Sequence, residues 1–121
     1  MTSQGSPYAR FRRALDNRSL TNALAAAAEL KPLGLTDSLE LLLLLRDKNP
    51  QRFGRAALRW HGRYCRETGS VQLDEGLAVL ALLAVMQGPH SKPAASALAE
   101  LLSRRRGHER ACELLVAWAR F

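Results

Sequence analysis

Apolar positions recur every three or four residues along most of the chain, a spacing that predicts α-helices. The first helix is expected to begin at Ser6-Pro7, since this pair is typical of a helix N-terminus, and to continue through Tyr8, Phe11 and Leu15. Polar turns, glycines and prolines interrupt the pattern at short intervals. The sequence therefore predicts about seven helices, the first from residue 7 and the others at about 19–30, 37–47, 50–67, 73–87, 92–105 and 108–121.

Local motifs indicate where two of the inner helices begin. Asp37 is followed three residues later by Glu40, a capping-box pattern that places Asp37 at the N-cap of the third helix. Asn49-Pro50 marks the start of the fourth and longest helix. An apolar stripe in that helix is expected to face the core, and it consists of Phe53, Ala57, Trp60 and Tyr64.

Composition supports an all-α fold. Leu and Ala together make up about a third of the chain, and Ile is absent. Unbranched side chains lose little rotamer freedom in a helix, whereas β-branched ones lose more, so this composition excludes a sheet-based fold. We expect a single all-α domain over residues 7–121, preceded by a disordered tail at residues 1–6. Its helices should form antiparallel pairs at about 8–30, 37–67 and 74–105, arranged either as a superhelix of repeats or as an irregular helical bundle.

One of these helix pairs has the pattern of a known repeat. A leucine-rich segment at residues 41–45 leads through Asp47 and Pro50 to Phe53, an alanine pair at residues 56–57 and Gly62. This stretch of about 25 residues resembles a single HEAT repeat, with a spacing between the proline and the alanine pair that departs from the usual pattern by about one residue. The resemblance implies a HEAT-like α-α superhelix. The whole chain also resembles small helical proteins of GC-rich bacteria, which implies no function.

The longest apolar runs are too short to cross a membrane. Residues 39–45 are interrupted by Glu40, and residues 77–86 span about ten positions, against about 20 for a membrane-spanning helix. The first seven residues are polar and lack the apolar segment of a secretory signal. With two cysteines in such a chain, we expect a cytoplasmic protein with reduced thiols and no disulfide framework.

Five arginines form the most prominent polar pattern, spaced three and four residues apart along the fourth helix: Arg52, Arg55, Arg59, Arg63 and Arg66. At about 100° of rotation per residue they fall within about 80° of one another, so they share one face. Like charges at this spacing repel, and an anion would relieve the repulsion. A nucleic-acid phosphate, an acidic protein or the chain's own carboxylates are the candidates. Alternatively, the face is simply solvated and its arginines reflect a GC-rich genome.

The distribution of charge is more informative than its total. The chain has a formal net charge of +7, but GC-rich codon usage alone produces many arginines. Residues 71–103 contain one cation and three anions, so the positive charge is concentrated in the other segments. This segregation favours a cationic patch over an even spread.

A repeated His-x-x-x-Cys spacing raises the question of a metal site. His61 and Cys65 are four residues apart, as are His108 and Cys112, so each pair projects from one face of a helix. Two such helices side by side would offer a Cys₂His₂ zinc site. Free cysteines are more often small buried hydrophobes, and the familiar zinc motifs use Cys-x-x-Cys pairs. We therefore expect no metal and no cofactor, with zinc at these four residues as the minor alternative.

The last helix carries apolar residues at helical spacing as far as Trp118 and Phe121. These residues either cap the bundle or form a partner surface, including a homodimer through this helix. No set of nucleophile, base and oxyanion donors is recognisable, so no enzymatic activity is expected. The sequence predicts a non-enzymatic helical binding module whose arginine-rich face takes nucleic acid. The alternative is a protein-interaction adaptor, with an acidic protein as its partner.

Overall fold

A computed structural model describes residues 5–121, and these residues form seven α-helices and no β-strand, as the sequence predicts. A 3₁₀ turn at Pro50–Arg52 leads into the fourth helix. The helices are α1 (Pro7–Asp16), α2 (Leu20–Ala28), α3 (Leu35–Lys48), α4 (Phe53–Thr68), α5 (Leu73–Val85), α6 (Ser91–Leu102) and α7 (Glu109–Arg120). Most of the tail predicted at residues 1–6 lies outside the described residues. Within residues 5–121, no helix is both long enough and apolar enough to span a membrane.

The starts of α1 and α3 show how local signals compete with tertiary contacts. The Ser6 hydroxyl accepts a hydrogen bond from a backbone amide of the first turn at 3.1 Å, so this predicted N-cap is confirmed. The predicted capping box is wrong, because α3 begins at Leu35 after Gly34 and Asp37 lies inside its first turn. The Asp37 carboxylate instead accepts a hydrogen bond from Arg12 of α1 at 3.2 Å. It still favours the helix, since an anion in the first turn complements the helix dipole.

Contacts in two helix pairs indicate an antiparallel arrangement, and one of these pairs, α3 with α4, is a predicted one. The indole of Trp60, in the middle of α4, donates to the Leu35 carbonyl at the start of α3 at 3.0 Å. Between α6 and α7, which are not a predicted pair, the Lys92 ammonium at the start of α6 donates to the Trp118 carbonyl near the end of α7 at 2.9 Å. Short connections produce this arrangement, because they turn the chain back along the helix it has just left.

The helix α7 returns to pack against α3, and this contact closes the fold into a bundle. The Trp118 indole donates to the Asp47 carboxylate at 3.1 Å, so the end of α7 lies beside the end of α3. In a superhelix of repeats each unit contacts mainly its neighbours, whereas this hydrogen bond spans 71 residues of sequence. The architecture is therefore an all-α bundle, and the HEAT resemblance of residues 41–62 stays a prediction for that helix pair.

Two apolar clusters hold the bundle together. The larger one joins the helices from α3 to α7, and it includes the fully buried side chains of Leu39, Phe53, Tyr64 and Leu98. The smaller one holds α1 and α2 against α3 around Phe11. Each large apolar side chain that is fully buried contributes about 1.5–3 kcal/mol relative to an exposed one. The predicted apolar stripe of α4 belongs to the larger cluster, so the core determines which face of α4 meets solvent.

Candidate anion-binding site

The arginine side of α4 and of the turn before it faces solvent because the opposite side of the helix is held in the core. Phe53, Trp60 and Tyr64 are at most 4% exposed. Their burial turns the arginine face toward water. Four of the five predicted arginines are exposed, and we call them the exposed arginine row: Arg52, Arg55, Arg59 and Arg66.

Three members of the exposed arginine row have no carboxylate partner among residues 5–121. Within the part of the chain that the structure describes, no Asp or Glu oxygen lies within ion-pair distance of Arg52, Arg55 or Arg59. Ion pairs are common elsewhere in the bundle, and Arg12, for example, lies 2.8 Å from Glu40. The carboxylates of the described residues therefore do not cover these three arginines.

Arg63 belongs to the predicted face by its spacing, but it is engaged within the fold. Its Nη1 donates to the Ser38 hydroxyl at 2.8 Å, and its Nη2 donates to the Leu33 carbonyl at 2.6 Å. Its Nε donates to the Glu67 carboxylate at 2.7 Å. These contacts fasten α4 to α3 and to the loop before it. The predicted set of five thus divides into four solvent-facing arginines and one that connects helices.

A groove of about 620 Å³ lies beside the exposed arginine row, between α2, α3 and α4. Arg52, Arg59 and Arg66 of the row line the groove together with Arg63, and no Asp or Glu is among the described residues around it. The apolar part of the lining that reaches solvent consists of Leu24, Leu41, Ala56 and Leu58. Sequence reasoning missed this groove, because a leucine run such as 41–45 does not indicate which of its members stays partly exposed.

The two His–Cys pairs do not come together as one group of metal ligands within residues 5–121. His61 Nε2 is 2.7 Å from the Gly76 carbonyl oxygen of α5 and 3.6 Å from the Cys65 sulfur. The Cys112 thiol faces α6 instead and donates to the Ala99 carbonyl at 3.2 Å. Among residues 5–121, no group of three or more His, Cys, Asp or Glu side chains is placed to hold a metal ion. Both cysteines are free thiols, and burial raises the pKa of the Cys112 thiol.

A second polar cluster connects α4, α5 and the segment between α6 and α7. Glu75 accepts hydrogen bonds from the Tyr64 hydroxyl at 2.7 Å and from the Arg105 guanidinium at 2.6 Å. The Arg105 hydrogen bond, followed by that from Tyr64, lowers the pKa of Glu75 to about 2, and burial raises the pKa of Tyr64. The His108 ring packs 5.7 Å from the Tyr64 ring, between centroids. This cluster fastens helices together and leaves Glu75 ionised at neutral pH.

The two aromatic residues predicted at a partner surface differ in their surroundings. The Trp118 indole donates to Asp47, and the Lys92 ammonium lies 3.3 Å from the centroid of the Trp118 ring. Trp118 therefore connects α7 to α3 and α6. Phe121, in contrast, is 95% exposed and is the one of the two that faces solvent freely.

Comparisons with protein families, curated proteins and solved structures found no match to this chain. The feature with the clearest chemistry is the exposed arginine row with the apolar groove beside it.

Proposed function

We infer that the chain is a non-enzymatic binding module that takes an anionic macromolecule on the exposed arginine row. The observation that supports this proposal is that Arg52, Arg55 and Arg59 have no carboxylate partner within the described residues, while the neighbouring Arg63 is fully engaged. The row extends over about 21 Å of helix, and its like charges repel one another. A bound anion offsets this repulsion and accepts bidentate hydrogen bonds from the guanidinium groups.

A nucleic acid is the candidate partner that the arginines by themselves favour. Arginine forks match the geometry of phosphate oxygens, and a row of them can follow a phosphate backbone. Binding through four arginines predicts that the logarithm of the association constant falls with the logarithm of salt concentration, with a slope of about −3 to −4. A contact that depends little on salt would argue against phosphates as ligands.

The test compares the wild-type chain with the double variant Arg55→Glu/Arg59→Glu. Fluorescence anisotropy would measure its affinity for a mixed-sequence single strand of DNA, the corresponding RNA and a duplex, each over a range of salt concentrations. The matched control is Arg104→Glu/Arg106→Glu, which makes the same charge change at exposed positions outside α4 and outside the groove. Loss of affinity in the α4 variant alone would support the exposed arginine row. Equal loss in both variants would show that total charge, and not this row, attracts the nucleic acid.

An acidic protein is the second candidate, and the apolar lining of the groove is the specific observation in its favour. The whole proposal is wrong if Arg55→Glu/Arg59→Glu weakens the binding of neither a nucleic acid nor an acidic peptide. We also propose a reduced, cytoplasmic setting, which the free thiols of Cys65 and Cys112 support. For a homodimer through α7 the support is limited to the exposed Phe121, and sedimentation of wild type against Phe121→Ser would test it.

A further inference from the structure

We propose that the groove between α2, α3 and α4 binds an acidic amphipathic helix of a partner protein. The apolar face of that helix would pack against the groove, and its carboxylates would pair with the arginines that line it. The inference rests on the proposed function, because it names the class of macromolecule that the exposed arginine row takes. Two independent features of the groove lead to it.

The first feature is the apolar lining. Leu58 is 59% exposed although it lies in the middle of α4, and it borders the partly exposed Leu41 and Ala56 in the groove. Covering such a surface removes apolar area from water, which is favourable for any partner that brings an apolar face of its own. A phosphate backbone has no such face to offer, whereas an amphipathic helix does.

The second feature is the spacing of the exposed arginines that line the groove, since Arg63 also lines it but is engaged within the fold. Arg52, Arg59 and Arg66 recur every seven residues, which corresponds to about 10.5 Å along the helix axis. A helix lying along α4 presents its own side chains at the same seven-residue interval, beside its apolar stripe. Acidic residues at those positions would meet the three arginines one by one, as flanking charges do between the helices of a coiled coil.

Other occupants fit the groove less well. Single-stranded nucleic acids are held largely by stacking of bases on aromatic rings. Trp60 is the one aromatic residue among the described residues that line the groove, and it is 4% exposed with its indole already donating to the Leu35 carbonyl. A second copy of the chain is disfavoured because each copy carries a formal net charge of +7.

The probe is a designed fluorescent peptide of about three heptads, with Leu on one helical face and Glu at seven-residue intervals beside it. Two control peptides accompany it. In the first, every Glu is replaced by Gln; in the second, the same residues are reordered so that the apolar stripe is lost. We expect the designed peptide to bind, and both controls to bind at least about tenfold more weakly.

Two pairs of protein variants test the two features separately. Arg52→Gln/Arg59→Gln should weaken peptide binding by at least about tenfold, while Arg104→Gln/Arg106→Gln, the matched charge control, should change it less than about twofold. Leu58 and Leu77 are both 59% exposed and both lie within helices, but Leu77 is not in the groove. Leu58→Gln should therefore weaken peptide binding by about fivefold or more, and Leu77→Gln should leave it unchanged. Circular dichroism confirms that each variant folds.

Each outcome either supports or overturns the proposed binding of an acidic amphipathic helix. Binding that depends on the arginines and on Leu58 supports the inference. The inference is overturned if Arg52→Gln/Arg59→Gln abolishes binding while Leu58→Gln and reordering of the peptide leave it unchanged. Such a result would indicate a contact between charges alone. Binding of nucleic acid through the row, without binding of the peptide, also overturns it and leaves the proposed function standing. If neither probe binds through the row, both are wrong.

Discussion

Replacing Arg63 by alanine should destabilise the fold, whereas the same replacement at Arg59 should leave it almost unchanged. Both residues lie on the arginine face of α4, one helical turn apart. The Arg63 side chain donates to the Leu33 carbonyl and the Ser38 hydroxyl, and the Arg59 side chain has no hydrogen-bond or ion-pair partner within residues 5–121. The comparison therefore separates the arginine that holds helices together from one that is available to a ligand.

The size of the effect follows from the contacts that would be lost. The hydrogen bonds of Arg63 to Leu33 and Ser38 are 2.6 and 2.8 Å long, and each involves a charged donor. Such bonds contribute about 1.5–3 kcal/mol each when they are well buried. Because the Arg63 side chain is 24% exposed, water replaces part of this interaction, and we expect Arg63→Ala to cost about 2 kcal/mol in total. The pair with the solvent-exposed Glu67 adds little.

Urea and thermal unfolding, followed by far-UV circular dichroism, would measure this difference. A loss of about 2 kcal/mol lowers Tm by about 6–10 °C in a chain of this size. Arg59→Ala is the matched control, since the change in helix propensity is the same, and it should stay within about 0.5 kcal/mol of wild type. Arg63→Lys keeps the charge without the planar fork and should recover less than half of the loss. Equal destabilisation by both alanine variants, or none at Arg63, would refute the reasoning.

Other contacts in the bundle can be tested in the same way. Glu75→Gln removes the anionic acceptor of the buried Tyr64 hydroxyl and should cost about 1–2 kcal/mol at pH 7. Because the pKa of Glu75 is lowered from 4.5 to about 2, its contribution is present above about pH 5 and is lost as the pH falls toward 2. The free energy of unfolding of Glu75→Gln, measured with urea, should therefore fall less between pH 5 and pH 2 than that of wild type. Asp47→Asn removes the charge from the acceptor of the Trp118 indole and from the partner of Arg18, and faster amide exchange in α7 is expected; unchanged exchange in α7 would contradict the role of the Trp118 contact. Ser6→Ala removes the N-cap of α1 and should lower the free energy of unfolding by about 1 kcal/mol, and a urea midpoint equal to that of wild type would count against the cap.

Local signals are sufficient to predict the helices, because the spacing of apolar residues and the positions of helix breakers are both set within a few residues of sequence. The apolar stripe of α4 was predicted to face the core, and Phe53, Trp60 and Tyr64 are all buried there. The end of α6 was less predictable: the pattern suggested a helix to residue 105, but α6 ends at Leu102. Arg105 donates to Glu75 and to two carbonyls of the α4–α5 connection, contacts made with residues 30 to 36 positions away. No local pattern contains such partners.

The same distinction explains which part of the candidate site the sequence could indicate. Spacing of three and four residues places Arg59 and Arg63 on one face, and it treats them as equivalent. The folded chain separates them, because the loop before α3 passes beside Arg63 and offers it the Leu33 carbonyl, 30 residues away in sequence. The groove arises for a similar reason, since it depends on how closely α2 approaches α3 and α4. A charge pattern on one helix therefore identifies the face that a ligand can approach, and the packing of neighbouring segments determines which of its residues remain available.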